Sequence, residues 1–164
     1  MASELGVQTI QHTNGTDAMT IDSSGYVTLS NPVSFLAYSM STDSNNGALV
    51  FINVQHNVGN CYSTSTGKFT APVKGVYHFG CAVLRNTGDA NVYFRVDDGT
   101  SYLTGNSTGD RASQYLQGST YTHASPSINL QLNASQTVSV FVGTTATVWS
   151  NYNYFTGHLI TPVA

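Results

Sequence analysis

The residues that could do chemistry are five histidines, eight carboxylates, two cysteines and a rich supply of serine and tyrosine. The histidines (His12, His56, His78, His123, His158) stand far apart along the chain, and no His-x-x-x-His or Cys-x-x-Cys spacing occurs. A zinc site would therefore have to be assembled from distant segments. No arrangement of Ser, His and Asp marks a hydrolase triad, and the reading is that no nucleophile elbow exists. Glycoside cleavage needs two carboxyls at a set separation. Asp97 and Asp98 are adjacent, so on a strand they would face opposite ways, and with Gly99 they read as a turn. No catalytic residue is assigned, and the chain is not expected to be an enzyme.

Two other kinds of site remain open. Asp89, Asp97, Asp98 and Asp110 fall in turn-rich sequence and carry the hard oxygen ligands that calcium takes. The competing reading, that they only cap and solubilise turns, is the favoured one. Tyr115, Tyr121, Trp149, Tyr152 and Tyr154 lie among Ser, Thr, Asn and Gln in the second half. Tyrosine and tryptophan offer large contact area at little entropic cost, and rings with amides suit sugars. Tyr115, Tyr121 and Trp149 are the ligand candidates. Cys61 and Cys81 are expected as buried free thiols rather than a disulfide framework.

These residues need a scaffold, and composition indicates its kind. Charged residues make up only 8% of the chain, against roughly 25% in an ordinary domain. Hydroxyls and amides must then provide solubility, and such a surface is less costly to desolvate than a charged one. That suits an extracellular or virion protein packed against copies of itself. The net charge is −3 and the five cations (Lys68, Lys74, Arg85, Arg95, Arg111) are scattered, which argues against nucleic acid as a partner. No apolar run reaches the ~18–20 residues that span a bilayer, so membrane insertion is not expected. Met1–Gln11 has neither the basic start nor the apolar stretch of a secretory signal. Either the protein is assembled in a cytoplasm and released by other means, or the chain is trimmed.

Period-two alternation recurs and helical periodicity does not. Val92, Phe94 and Val96 alternate with Asn91, Tyr93 and Arg95. Ile128, Leu130 and Leu132 alternate with Asn129 and Gln131, and Val138, Val140 and Val142 with Ser139 and Phe141. Turn signals separate them, among them Thr66-Gly67, Lys74-Gly75, Thr87-Gly88-Asp89 and Asp98-Gly99. Many short strands without helices predict an all-β sandwich or jelly roll. Residues 1–30 read as a lead-in of one or two small strands, and residues 31–164 as the main domain. Val33, Phe35 and Ala37 would face inward in its first strand. Thr100 to Pro126, the most polar stretch, is expected as an outer loop.

Thr66-Gly67-Lys68-Phe69-Thr70-Ala71-Pro72-Val73-Lys74-Gly75-Val76-Tyr77-His78-Phe79 resembles the signature of the globular head of the q subunit of the first complement component. That family shares the tumour necrosis factor jelly roll. Phe51-Ile52, Asn57 to Tyr62, Leu130 to Val140 and Phe155 to Ile160 resemble further parts of the head in the right order, so that the likeness runs from Pro32 to Pro162. Ser135-Gln136 departs from it, standing where the family commonly has Gly-Asp. The resemblance implies about ten antiparallel strands in two sheets and assembly as a homotrimer, with calcium at the trimer apex in some members. Phe141, Tyr154 and Phe155 are then expected at the trimer interface. A histidine near the threefold axis could also meet its copies and hold an ion, although the sequence selects none of the five.

Ala18-Met19-Thr20-Ile21-Asp22-Ser23-Ser24-Gly25-Tyr26-Val27-Thr28 resembles segments of bacteriophage tail fibres and other appendages. The expectation is a virion or extracellular trimer that recognises a host cell-surface receptor, glycans included, by avidity, in contact with other virion or fibre proteins. The alternatives are a purely structural trimerising or capping head, and a secreted complement-like recognition or signalling ligand.

Overall fold

The computed structural model describes residues 6–40, 44–97, 110–118 and 121–163. These divide into two compact units, residues 1–32 and 33–164. In the first, β1 (Thr9–Gln11), β2 (Asp17–Ile21) and β3 (Val27–Leu29) form an antiparallel meander. Its turns close through side chains: Asn14 Oδ1 accepts from Thr16 N at 3.0 Å, and Asp22 Oδ1 from Ser24 N and Tyr26 N at 2.8 and 2.9 Å.

The second unit holds β4 (Ser34–Met40), β5 (Ser44–Ala48), β6 (Phe51–Val58), β7 (Tyr62–Ser63), β8 (Lys68–Thr70), β9 (Gly75–Thr87), β10 (Ala90–Asp97), β11 (Asp110–Leu116), β12 (Thr122–Ala124), β13 (Ser127–Leu132), β14 (Thr137–Val148) and β15 (Tyr154–Pro162). All pairings are antiparallel, and the described residues contain no helix. One layer runs β6-β4-β15-β9-β13. The other is built on β14, flanked by β10 and β11 on one side and by β8 and β5 on the other. The long strand β9 serves both: Gly75–Gly80 pairs with β13, whereas Arg85 and Thr87 pair with β14.

The alternation seen in the sequence decides which side chains fill the space between the layers. Phe35, Tyr77, Phe79, Phe94, Val92, Val138, Val140 and Val142 are fully buried, and Val33 and Ala37 join them. Phe155 belongs here too, which corrects its expected place at a subunit interface. It is 0% exposed within one chain, with the Phe35 ring at 4.8 Å edge-on and the rings of Phe79 and Phe94 at 6.0 Å. A partner cannot reach it. Gly157, next on the same core-facing side of β15, has to be glycine, since a Cβ there would stand 2.6 Å from Phe79 Cδ1.

Gly67 turns the chain as expected, at φ +70°, with Leu49 O where a Cβ would sit. Gly75 acts differently from the expected turn residue: it opens β9 and admits Leu159 and Thr161 to a close approach. Within the stretch 100–126, the described residues include the strands β11 and β12, more order than its polarity promised. Ala112 and Leu116 of β11 pack on the core, and β11 pairs with β10 across a bulge. A core contact every fourth residue is enough to hold a strand that the alternation test does not register.

Candidate functional site

Strand β9 anchors two of the three predicted ligand residues at consecutive carbonyls. Tyr121 N donates to Arg85 O at 3.1 Å, and Trp149 N to Leu84 O at 3.0 Å. The segment after Trp149 is held by Asn153, 3% exposed, whose Oδ1 accepts from Leu84 N at 2.6 Å while its Nδ2 donates to Trp149 O. Pinned in this way, the Tyr121 and Trp149 rings stack, with centroids 6.1 Å apart and planes 15° from parallel. Tyr121 is 66% exposed and Trp149 half-buried, so the pair forms an aromatic shelf open to solvent. Tyr121 sits at φ +60° and Tyr152, three residues after Trp149, at +65°, a backbone region unfavourable to a bulky side chain and found preferentially at functional sites.

Tyr115, the third candidate, is on β11 and is not part of this stack. Its hydroxyl donates to Asp89 Oδ2 at 3.3 Å, which orients it beside the β9–β10 turn. Beneath that turn lies a residue that sequence reasoning missed. Arg85 is 1% exposed; its Nη1 donates to Gly88 O at 2.8 Å, while Nε and Nη2 have no partner. Trp149 Nε1 is likewise buried without a partner. Buried donors left unpaired cost about 1–3 kcal/mol each, more when charged. The strand segments that carry the shelf thus also carry three donors lacking an acceptor. The signal was legible: Arg85 interrupts the apolar run Cys81-Ala82-Val83-Leu84, two residues from core-facing Val83.

The two candidate aspartates whose side chains are described do not gather. Asp89 precedes the eight-residue strand β10 and Asp97 ends it, about 26 Å apart at the strand rise, too far to share an ion. Asp97 is on the strand rather than in a loop. It is 7% exposed, accepts from Lys68 Nζ at 3.1 Å and from Thr137 Oγ1 at 2.7 Å, and so ties β8 and β14 to β10. Asp98 and the Asp110 side chain lie outside the described residues. No group of three or more His, Cys, Asp or Glu forms among the described residues. One spacing match to a nucleophile elbow does exist, Gly105-Asn106-Ser107-Thr108-Gly109, against the reading that the chain carries none. It lies outside the described residues, and an elbow needs a strand-to-helix turn.

The expected interface residues separate. Phe141 is on β14, stacked on Tyr93 at 5.8 Å under the Arg95 guanidinium at 3.7 Å. Tyr154 is on the outer face of the other layer, 40% exposed, beside its cross-strand partner Tyr38 at 43%. With Leu36 and Gln55 the two tyrosines line a shallow groove of about 390 Å³. A turn upstream is locked by Asn57, whose Oδ1 accepts from Cys61 N and Tyr62 N at 3.0 and 3.1 Å and whose Nδ2 donates to Tyr62 O at 2.9 Å. Cys61 and Cys81 are both free and buried, and burial pushes their thiols up to about 11 and about 12.

Comparison with known proteins agrees with this architecture. The human and mouse complement C1q tumor necrosis factor-related protein 3 are each 36% identical over 62 residues, 37% of this chain. The chain spans about a quarter of the length of these curated relatives. Among solved structures, the globular domain of zebrafish complement 1qA superposes with a TM-score of 0.60 at 18% identity, covering 80% of this chain and 99% of that one. The Eiger tumour necrosis factor of S. frugiperda gives 0.63 at 8% identity, covering 82% and 96%, and murine APRIL 0.60 at 9%, covering 79% and 99%. At these identities the superpositions establish the jelly-roll fold. The C1q domain profile matches residues 34–160, essentially the whole second unit, and the chain belongs to the C1q domain family, whose members are trimer-forming recognition modules and not enzymes.

Proposed function

We propose that this chain is the recognition head of a trimeric virion appendage, binding a host-surface glycan at the Tyr121–Trp149 shelf. The stacked, solvent-open ring pair is the observation that carries the reading. A flat aromatic face suits the apolar face of a sugar ring. Three such shelves per head, and several heads per particle, convert weak single-site affinity into stable attachment. The virion setting is supported by the likeness of Ala18–Thr28 to phage appendage segments and by the low charge of the chain.

The test is labelling of a panel of bacterial strains with the fluorescent protein. Binding to a subset of strains, weakened at least tenfold by Trp149→Ala or Tyr121→Ala with an unchanged melting temperature, supports the reading. Labelling of no strain favours a purely structural head. The match to complement C1q tumor necrosis factor-related protein 3 supports a second reading, a secreted complement-like recognition or signalling ligand. Binding to animal cells and to no bacteria would select it.

A further inference from the structure

Antiparallel pairing sets His78 of β9 directly opposite His158 of β15 on the outer face of the β6-β4-β15-β9-β13 layer. Their ring centroids are 5.4 Å apart, with planes inclined by 44°. A metal ion at a Zn–N distance of ~2.0–2.1 Å lies about 3.2 Å from each imidazole centroid, so two imidazoles on one tetrahedral ion are about 5.2 Å apart. The observed separation of 5.4 Å is close to that value.

The pair is prepared in other ways as well. His78 Nδ1 is 2.8 Å from Asn129 Oδ1. An amide oxygen only accepts, so Nδ1 carries the proton and Nε2 keeps its lone pair, the arrangement that ligating histidines obtain from an outer hydrogen bond. Gly80, the next outer position on β9, leaves the Nε2 edge uncovered; a Cβ there would stand 3.9 Å from Nε2. His158 is exposed. His56, on the same face, stands apart from the pair, because β4 separates its strand β6 from β15.

We propose that His78 and His158 form a two-imidazole site for a borderline divalent transition-metal ion of the zinc, nickel or copper class, with Asn129 as its orienting residue. Neutral imidazole nitrogens select such ions over calcium, which takes oxygen ligands. Two ligands come from one chain; water, or a neighbouring copy seated on this face, completes the coordination. Both ligands lie on the outer face of this layer, and the site does not require the glycan.

Isothermal titration of the chelator-stripped protein with zinc chloride, and separately with calcium chloride, tests it. The expected result is saturable zinc binding and no calcium binding at the same concentrations. His78→Gln and His158→Gln should each weaken zinc binding at least tenfold, and Asn129→Ala about tenfold, with melting temperatures unchanged in the absence of metal. Imidazole nitrogen shifts in the NMR spectrum should move at His78 and His158 and at no other histidine. Absence of zinc binding, or binding that survives both histidine substitutions, overturns the site. Because neither readout involves bacteria or oligomer mass, its failure is distinct from failure of the recognition reading.

Discussion

At the scale of single residues, burial explains both what the site residues do and what the other candidates do not. Phe155 has the same aromatic character as Tyr154, one position earlier, yet alternation sends one ring into the core and the other to the surface. Phe155→Ala should cost about 3–5 kcal/mol of unfolding free energy in urea titrations, the usual range for a buried phenylalanine. Loss of less than about 1 kcal/mol would contradict the packing. The thiols give a second test through pH. Burial raises Cys61 to about 11 and Cys81 and Tyr62 to about 12, above the 9.0 and 10.0 of unburied groups. The folded state holds these protons more tightly, so their contribution is complete below about pH 9 and is lost as pH rises from there toward 12. Stability should fall across that window, and Cys81→Ala should flatten the fall in part, leaving the portion due to Cys61 and Tyr62.

Strands and turns explain how far the sequence could be read. The three segments with strict alternation became β10, β13 and β14, and the signature from Thr66 to Phe79 became β8, its following turn and the start of β9. The glycines were legible as punctuation, but Gly75 and Gly157 serve close approach rather than turning, which depends on neighbours distant in sequence. The shelf was half legible. Tyr121 and Trp149 could be named from type, but their stacking rests on Leu84, Arg85 and Asn153, brought together only by pairing across β9, β12 and β14. His78 and His158, 80 positions apart, meet for the same reason, and no local pattern encodes such a meeting. Gly157→Ala tests the close approach: a methyl group 2.6 Å from Phe79 Cδ1 and 2.9 Å from Phe35 Cε1 should cost about 1–3 kcal/mol, read as a lower urea midpoint.

At the scale of the whole molecule, the outer face of the β6-β4-β15-β9-β13 layer is the surface that asks for a partner. Tyr38, Tyr154 and Val58 are 43%, 40% and 41% exposed there, joined by Leu36 around the groove. Exposed apolar side chains clustered on one sheet face mark an interaction surface, and C1q-domain proteins form homotrimers. The facing positions of its central strands are Ser34, Leu36, Tyr38, His78, Gly80, Asn129, Tyr154, Thr156 and His158, with no Asp, Glu, Lys or Arg. A contact built on such a face gains from apolar burial rather than ion pairing, so salt should not weaken it. Light scattering on a sizing column should therefore give a mass near three times 17.5 kDa, the same at low salt and at ~1 M salt, where the screening length is only ~3 Å. Tyr38→Glu with Tyr154→Glu should release folded monomers, since each introduced carboxylate would have to be desolvated at the contact. If the double variant stays trimeric, or the native trimer dissociates in salt, a different and charged surface holds the copies together.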